Sequence, residues 1–486
     1  MAKEYPEWVL QHRKKGTAIH EIQGKYYLYE VFSAWNKEKK KSERKTGRSL
    51  GRITPEGLQP RRKTGMRAET IAKRLGSISV KEYGLSFFIE TNFKEQAAVL
   101  AQYFGEHWRT LICVAYCRLV FQSSIRQMPF HIAHSYLSET YKGLDLSEKK
   151  ISLALRDVGR DRLNVARFMQ QGMADGQHIL IDMTNIPSKS EQMGLIQAGY
   201  DSDHQFNTQF NLLYLYSSTA QRPTFYRLVP GNVREVVAMC LTIRESQVKN
   251  CVIIADKGFY SQANVDKLQA EKLQFIIPLK RDSQLIDYEL LNESSLKNSG
   301  QYFAFEKRFI WYRSYPIKET ENHLYLFLDE NLKLKEQSDY LNRIEEKTSG
   351  YTFDKFLGKK TEFGTMAILS NLKDKTPSQI YTAYKSRMDI ENTFDAMKTI
   401  LDADKTYMQN EEVLQGWMFA NHIALQWYYM LHHRLLNTKQ NSKYSVKDLI
   451  EHLLEIRIAK IDSEWVRTET IKKSQQLLDK INLPIV

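Results

Sequence analysis

The sequence predicts an α/β chain whose centre runs strand-strand-strand-helix-strand-helix-strand, and three observations predict it. Two short apolar runs, Ile179–Ile181 and Cys251–Ala255, each lead into an aspartate, Asp182 and Asp256. Between and after them, aromatic and apolar stretches at strand length alternate with stretches at helical spacing. Further on, Tyr384, Arg387, Glu391 and Lys398 are spaced by three, four and seven residues. That spacing puts all four on one face of a continuous helix.

The elements follow in order. The Asp182 strand comes first. Thr208–Ser217 and Thr224–Val229 read as the next two strands, and Arg234–Gln247 as a helix. The Asp256 strand, a helix near Gln262–Lys272 and the strand Gln274–Leu279 complete the pattern. Two Asp at strand ends with a Glu on a later helix are the layout of a ribonuclease-H-like nucleotidyl-transfer core. Asp182, Asp256 and Glu391 form an oxygen-only donor set, which suits Mg²⁺ or Mn²⁺. The Glu391 helix has a legible start: Thr376 is a good N-cap, Pro377 fits the first helical position, and Gln379 completes a capping-box pattern. One face then carries a carboxylate, two cations and a phenol, as a metal-bound phosphodiester would require. The plainer alternative is a solvated helix with an Arg387–Glu391 ion pair. Asp203 and Asp389 are the rival acids. Asp389 lies two residues before Glu391 and so faces about 200° away from it.

These residues carry a resemblance. The chain resembles DDE transposases of bacterial insertion sequences, of the IS-four type group, from about Gly176 to Arg434. Asp182-Met183-Thr184 looks like the first Asp motif, and Asp203-His204 with Gln209 like the polar stretch after it. Gly231-Asn232 looks like the turn before the helix. Asp256-Lys257-Gly258-Phe259-Tyr260-Ser261 looks like the second Asp motif, and Tyr384, Arg387, Glu391 and Lys398 match the family's Tyr-Arg-Glu-Lys signature at every spacing. The resemblance implies metal-dependent cleavage of element ends and their joining to target DNA. Asp182, Asp256 and Glu391 would hold two metal ions. Tyr384, Arg387 and Lys398 would bind DNA near the cut, and Thr184 and His204 would lie behind the first acid. It also implies DNA partners (terminal inverted repeats and target), a homodimer pairing two ends, and a bacterial cytoplasmic, nucleoid-associated protein. A catalytically silent or domesticated DNA-binding protein, or a nuclease on the same core without transposition, are the other classes.

The remaining segments divide the chain. Residues 1–90 read as a basic, β-rich region, with Lys25–Phe32 a strand. The stretch Lys37–Lys63 holds eleven Lys or Arg and three Glu, read as an arm that follows a DNA backbone or as a solvated hairpin. Residues 91–176 read as a helical domain, with Lys94–Val120 and Ser147–Gln171 apolar at helical spacing. A helix-turn-helix near residues 147–162 and a scaffold bundle are both open there. The core spans 177–285 and 366–437, interrupted by a β-rich insertion at 286–365, and 438–486 is expected to be a helical tail. In the insertion, Trp311 beside Arg308 and Arg313 is a candidate for stacking on a flipped base, or is an ordinary strand tryptophan. Gly364–Ser370 returns as a core strand.

The formal net charge of +13 favours a polyanionic partner. Cys113, Cys117, Cys240 and Cys251 lack CxxC spacing, so buried free thiols are expected rather than a zinc site. No signal peptide is read at the N-terminus. Gly416–Leu436 is interrupted by Asn421, His422, Gln426, His432 and His433, so it reads as a buried helix rather than a membrane span.

Overall fold

The structure is a computed structural model that describes residues 4–36, 41–60, 78–173, 176, 178–200, 206–233, 235–291, 296, 299–401, 408–461, 464–483 and 485. The chain divides into two compact units, Met1–Ser79 and Val80–Val486. The first unit is an antiparallel sheet, β1 (Thr17–Ile22), β2 (Lys25–Asn36), β3 (Lys41–Thr54) and β4 (Gly57–Pro60), in that spatial order. Its buried core is small: Val9, Leu28 and Ile53, with Tyr5, Trp8 and Tyr26 packed around them. Gly51 lets β3 and β4 approach, since a Cβ there would lie 2.2 Å from the Gln59 carbonyl oxygen.

The second unit is built on one large sheet. Its strands are β6 (His178–Pro187), β7 (Gln197–Tyr200), β8 (Phe206–Ser217), β9 (Arg222–Pro230), β10 (Val252–Ile254), β11 (Gln274–Pro278), β12 (Tyr302–Phe305), β13 (Arg308–Pro316), β14 (His323–Asp329) and β15 (Thr365–Ser370). Their order is β12-β13-β14-β15-β11-β10-β6-β8-β7, and β9 also pairs with β8. β6, β10 and β11 run parallel, while β8 and β9 alternate away from β6 antiparallel. The parallel strands are continuous apolar runs because both faces are covered; Ile179, Leu180, Ile253, Ile254, Phe275 and Ile277 are fully buried. A three-stranded sheet, β17 (Glu464–Arg467), β16 (Arg457–Ile461) and β5 (Ser79–Glu82), lies apart from it in the pairing.

Helices cover the sheet. The longest, Glu411–Asn437, is capped by the Asn410 side chain and buries Trp427, Phe419 and Ile423 completely. It crosses Glu148–Arg160 closely: a Cβ at Gly416 would meet the Leu155 carbonyl oxygen at 2.0 Å. Among the described residues no helix is long and apolar enough to cross a membrane. All four cysteines are buried, and burial pushes the Cys117 thiol up to about 12.

Several expectations need correction. The strands of the insertion, β12, β13 and β14, extend the core sheet through the β14–β15 pairing. The second half of the insertion is helical, Glu330–Glu345 and Phe353–Gly358. The stretch Lys94–Val120, read as apolar at helical spacing, is helical as two helices, Lys94–Phe104 and Trp108–Phe121, parted where Gly105 takes φ +51°. The tail expected to be helical holds the helices Val446–Leu454 and Lys472–Lys480 but also the antiparallel β16–β17 hairpin. The candidate helix-turn-helix pair, Glu148–Arg160 and Arg162–Gln170, is joined at Asp161 and turned into the fold. Arg160 pairs with Glu412, and Arg162 with Glu245 and the Tyr226 carbonyl. That engagement favours the scaffold reading.

Candidate active site

The site begins with the pairing of two parallel strands. Ile254 is in register with Leu180, and the chain places Asp256 and Asp182 two residues beyond. Contrary to the expectation of a strand end, Asp182 sits mid-strand opposite Tyr214, and β6 continues to Pro187. Its Oδ1 accepts a hydrogen bond from the Met183 amide at 2.9 Å. Asp256 leaves β10 and caps the turn Lys257–Phe259, accepting from the Lys257 amide at 2.6 Å.

The third acid comes from the segment after β15. Thr376, Pro377 and Gln379 form the expected capping box, and the helix Pro377–Lys385 starts there. The helix does not continue unbroken. Arg387 N–H bonds the Tyr384 carbonyl, an i→i−3 tightening, and the Ser386 hydroxyl donates back to the Ala383 carbonyl. A second helix, Met388–Asp395, carries Glu391, and a π turn, Ala396–Ile400, carries Lys398. The single helical face expected for Tyr384, Arg387, Glu391 and Lys398 is therefore three segments. Asp389 keeps its place two residues before Glu391 in the same helix.

The three carboxylates meet on one guanidinium. Arg387 Nη1 lies 2.6 Å from Glu391 Oε1, and Nη2 lies 3.2 Å from Asp182 Oδ2 and 3.7 Å from Asp256 Oδ2. Arg387 and Asp182 are the most enclosed, at 16% and 21% side-chain exposure, against 43% and 40% for Asp256 and Glu391. Burial raises the Asp182 carboxyl, and Asp256 and Glu391 add to that, while Arg387 and the Met183 amide oppose it. Burial pulls the Arg387 guanidinium down, but the three acids outweigh it and hold it above its usual value. The Arg387–Glu391 ion pair of the plainer reading exists, but it is one limb of this larger cluster.

A divalent cation is the group such a donor set implies. Three carboxylates with no nitrogen or sulfur match a hard ion in kind. Among the described residues, however, no group of three His, Cys, Asp or Glu is gathered closely enough to hold a metal ion; the acids are gathered around Arg387. The chemistry of the donors fits, and the guanidinium is the charge that balances them.

Tyr384 is half-buried, and burial raises its phenol. It lines a cavity of about 530 Å³ together with Lys257, Lys280, Arg281, Tyr381 and Lys385. Sequence reasoning missed these cations, although Lys257 follows Asp256 directly and Lys280-Arg281 follow β11. Lys398 makes no hydrogen bond or ion pair among the described residues. Trp311 lies on β13 opposite Tyr302, with ring centroids 5.3 Å apart, and packs against the core. Its flanking cations are engaged: Arg308 with Asp329 at 2.8 Å, Arg313 with Gln301 and the Leu290 carbonyl. Thr184 is two residues from Asp182 on the same strand and half-buried. Asp203 and His204 lie outside the described residues.

Residues 173–427 match the family model described as "Transposase DDE domain", just over half of the chain. No curated protein matches the sequence. One solved structure to which the chain is similar is a "piggyBac transposase synaptic complex with hairpin DNA", at 11% identity and a TM-score of 0.39, covering 72% of this chain and 70% of that one.

Proposed function

This chain belongs to the transposase DDE-domain family, and we propose that it cuts the ends of a mobile element and joins them to target DNA by metal-dependent phosphoryl transfer. The observation that carries the proposal is the convergence of Asp182, Asp256 and Glu391 on Arg387 from a strand, the turn after a second strand, and a helix. The strand order β11-β10-β6-β8-β9, with the first three parallel, supports reading the core as ribonuclease-H-like.

Asp182, Asp256 and Glu391 are the residues that would hold divalent cations, Mg²⁺ or Mn²⁺. Two bound ions would supply an activated water or 3′-hydroxyl and stabilisation of the leaving oxygen. The protein's own groups do the rest. Arg387 is a planar, always-charged donor and leaves the carboxylates for a phosphate when DNA arrives. Lys398 adds a second phosphate contact. The Tyr384 phenol, kept protonated by burial, donates to the backbone at the cleaved end. Two chains, one per end, would be needed to pair the ends.

The test is cleavage and joining of a DNA carrying the element's own ends, in Mg²⁺ and in EDTA. Asp182→Ala, Asp256→Ala and Glu391→Ala are each expected to abolish both steps while end binding persists, because phosphates are held by many cations. Wild-type-like cleavage by one variant removes that acid from the triad. Robust cleavage in EDTA sinks the mechanism. Cleavage without joining would leave a nuclease, and binding without cleavage a silent DNA-binding protein.

A further inference from the structure

The chain's positive charge is not spread evenly. The first unit, residues 1–79, holds 19 Lys and Arg against 8 Asp and Glu, so it carries +11 of the total +13. The remaining residues hold 51 cations against 49 acids and are nearly neutral. The excess positive charge that would attract a polyanion therefore lies in the first unit.

In that unit β1 pairs only with Lys25–Glu30 of β2, and β4 only with Gly51–Thr54 of β3. Beyond them, Val31–Asn36 and Lys41–Thr46 have only each other as strand partners, as a two-stranded arm of six residues a side, about 20 Å long; at its root the Val31 amide bonds the Gly16 carbonyl and Arg44 donates to the Thr17 carbonyl. Register irregularities at Leu28/Tyr29 and Tyr29/Val31 mark its root, where a bulge re-aims a strand. By sequence the four residues joining the strands are Lys37, Glu38, Lys39 and Lys40.

A free two-stranded ribbon is marginal in water, and this one exposes large aromatics: Phe32 is 55% exposed and Trp35 65%. The register distributes them. Phe32 stands opposite Lys45 on one face, and Trp35 beside the Ser33–Arg44 pair on the other. Each face thus presents an aromatic and an exposed cation. A ribbon that lay flat on a surface would need this on one side only. A ribbon entered edge-on between two phosphate-lined walls needs it on both.

We infer that the β2–β3 arm inserts into the major groove of duplex DNA. Arg44, Lys45 and Lys41 would lie along the flanking phosphates, and Phe32 and Trp35 against base edges and thymine methyls. The B-form major groove, about 12 Å wide, admits a two-stranded ribbon, whereas the deep, narrow major groove of A-form RNA does not. The inference deepens the DNA-processing reading of the second unit and rests on it only for the class of partner.

The test uses the full chain in EDTA, so metal-dependent steps are silent and a failure of the arm is distinct from a failure of the acids. Affinity for a duplex of about three helical turns is measured across a KCl series. Arg44→Ser with Lys45→Ser is expected to cut affinity at least tenfold and to lower the salt slope by about two units. Phe32→Ser with Trp35→Ser is expected to cut affinity and leave the slope unchanged. Arg44→Lys with Lys45→Arg, which keeps the charge and guards against misfolding, should retain both. Dimethyl sulfate should find guanine N7, in the major groove, protected by the wild type and not by the aromatic variant. Unchanged affinity and slope in both serine variants, protection confined to adenine N3, or tighter binding to single strands or duplex RNA would each overturn the inference.

Discussion

At the scale of single residues the site is a charge balance. Three carboxylates carry up to three negative charges, and Arg387 returns one at 2.6–3.7 Å. The same guanidinium that steadies the acids opposes any cation placed between them. Arg387→Gln is therefore expected to tighten Mn²⁺ binding to the DNA-free chain by about tenfold, or about 1.4 kcal/mol, in calorimetry. The same change should weaken the strand steps, because a phosphate contact is lost. Unchanged or weaker Mn²⁺ affinity would mean that Arg387 does not stand where the cation goes. The identities of Asp182, Asp256, Glu391 and Arg387 were legible in the sequence, because residue type and spacing carry them. Their convergence on Arg387 was not, since the β6–β10 register and the fold of the 376–400 segment set it.

At the scale of elements the instructive case is the Tyr384–Lys398 segment. Its start was legible down to the Thr376–Gln379 capping box. Its continuity was misread because no Gly or Pro interrupts it between Ser378 and Lys398. The break at Ser386–Arg387 comes from a side-chain bond back to Ala383, and the π turn widens the path at Lys398. Tyr384→Ala and Lys398→Ala should each cost about 1.5–3 kcal/mol where a charge-assisted contact is lost, roughly tenfold or more in end-complex assembly, with first-strand nicking retained. Complete loss of nicking in either would place that residue with the acids. The long helix Glu411–Asn437 gives a second prediction. Burial, with Arg222 and Arg162 nearby, lowers His422 to about 3 from its usual 6.5. The unfolded chain then takes up a proton that the folded chain refuses between pH 6.5 and pH 3. Stability falls with pH across that window, by up to about 1.4 kcal/mol per pH unit, and is unaffected above it. Urea midpoints at pH 7.5 and pH 5.5 should converge in His422→Gln; an equal pH dependence in variant and wild type would exclude this histidine as the cause.

At the scale of the whole molecule, the excess charge and the candidate site lie in different parts of the chain. The acids, Arg387 and the core sheet belong to Val80–Val486, while nearly all the net charge belongs to Met1–Ser79. Local composition made the basic region legible. The sharing of one sheet by core and insertion was not legible, because β14 and β15 are separated in sequence by two helices and pair only in space. The second unit has its own extensive core, so the fragment 80–486 is expected to fold alone. With 51 cations against 49 acids, it should leave a heparin column at much lower salt than the full chain. Its DNA affinity should fall, and its log affinity should depend less steeply on log salt, by about one unit per phosphate contact removed. What remains should still need Asp182, Asp256 and Glu391 for nicking at low salt, because none of the site is lost. A folded fragment that binds DNA with the full chain's affinity and slope would return the basic region to a solvated hairpin. It would also move the DNA contacts onto the near-neutral unit, where local patches such as Lys257, Lys280 and Lys385 would have to supply them.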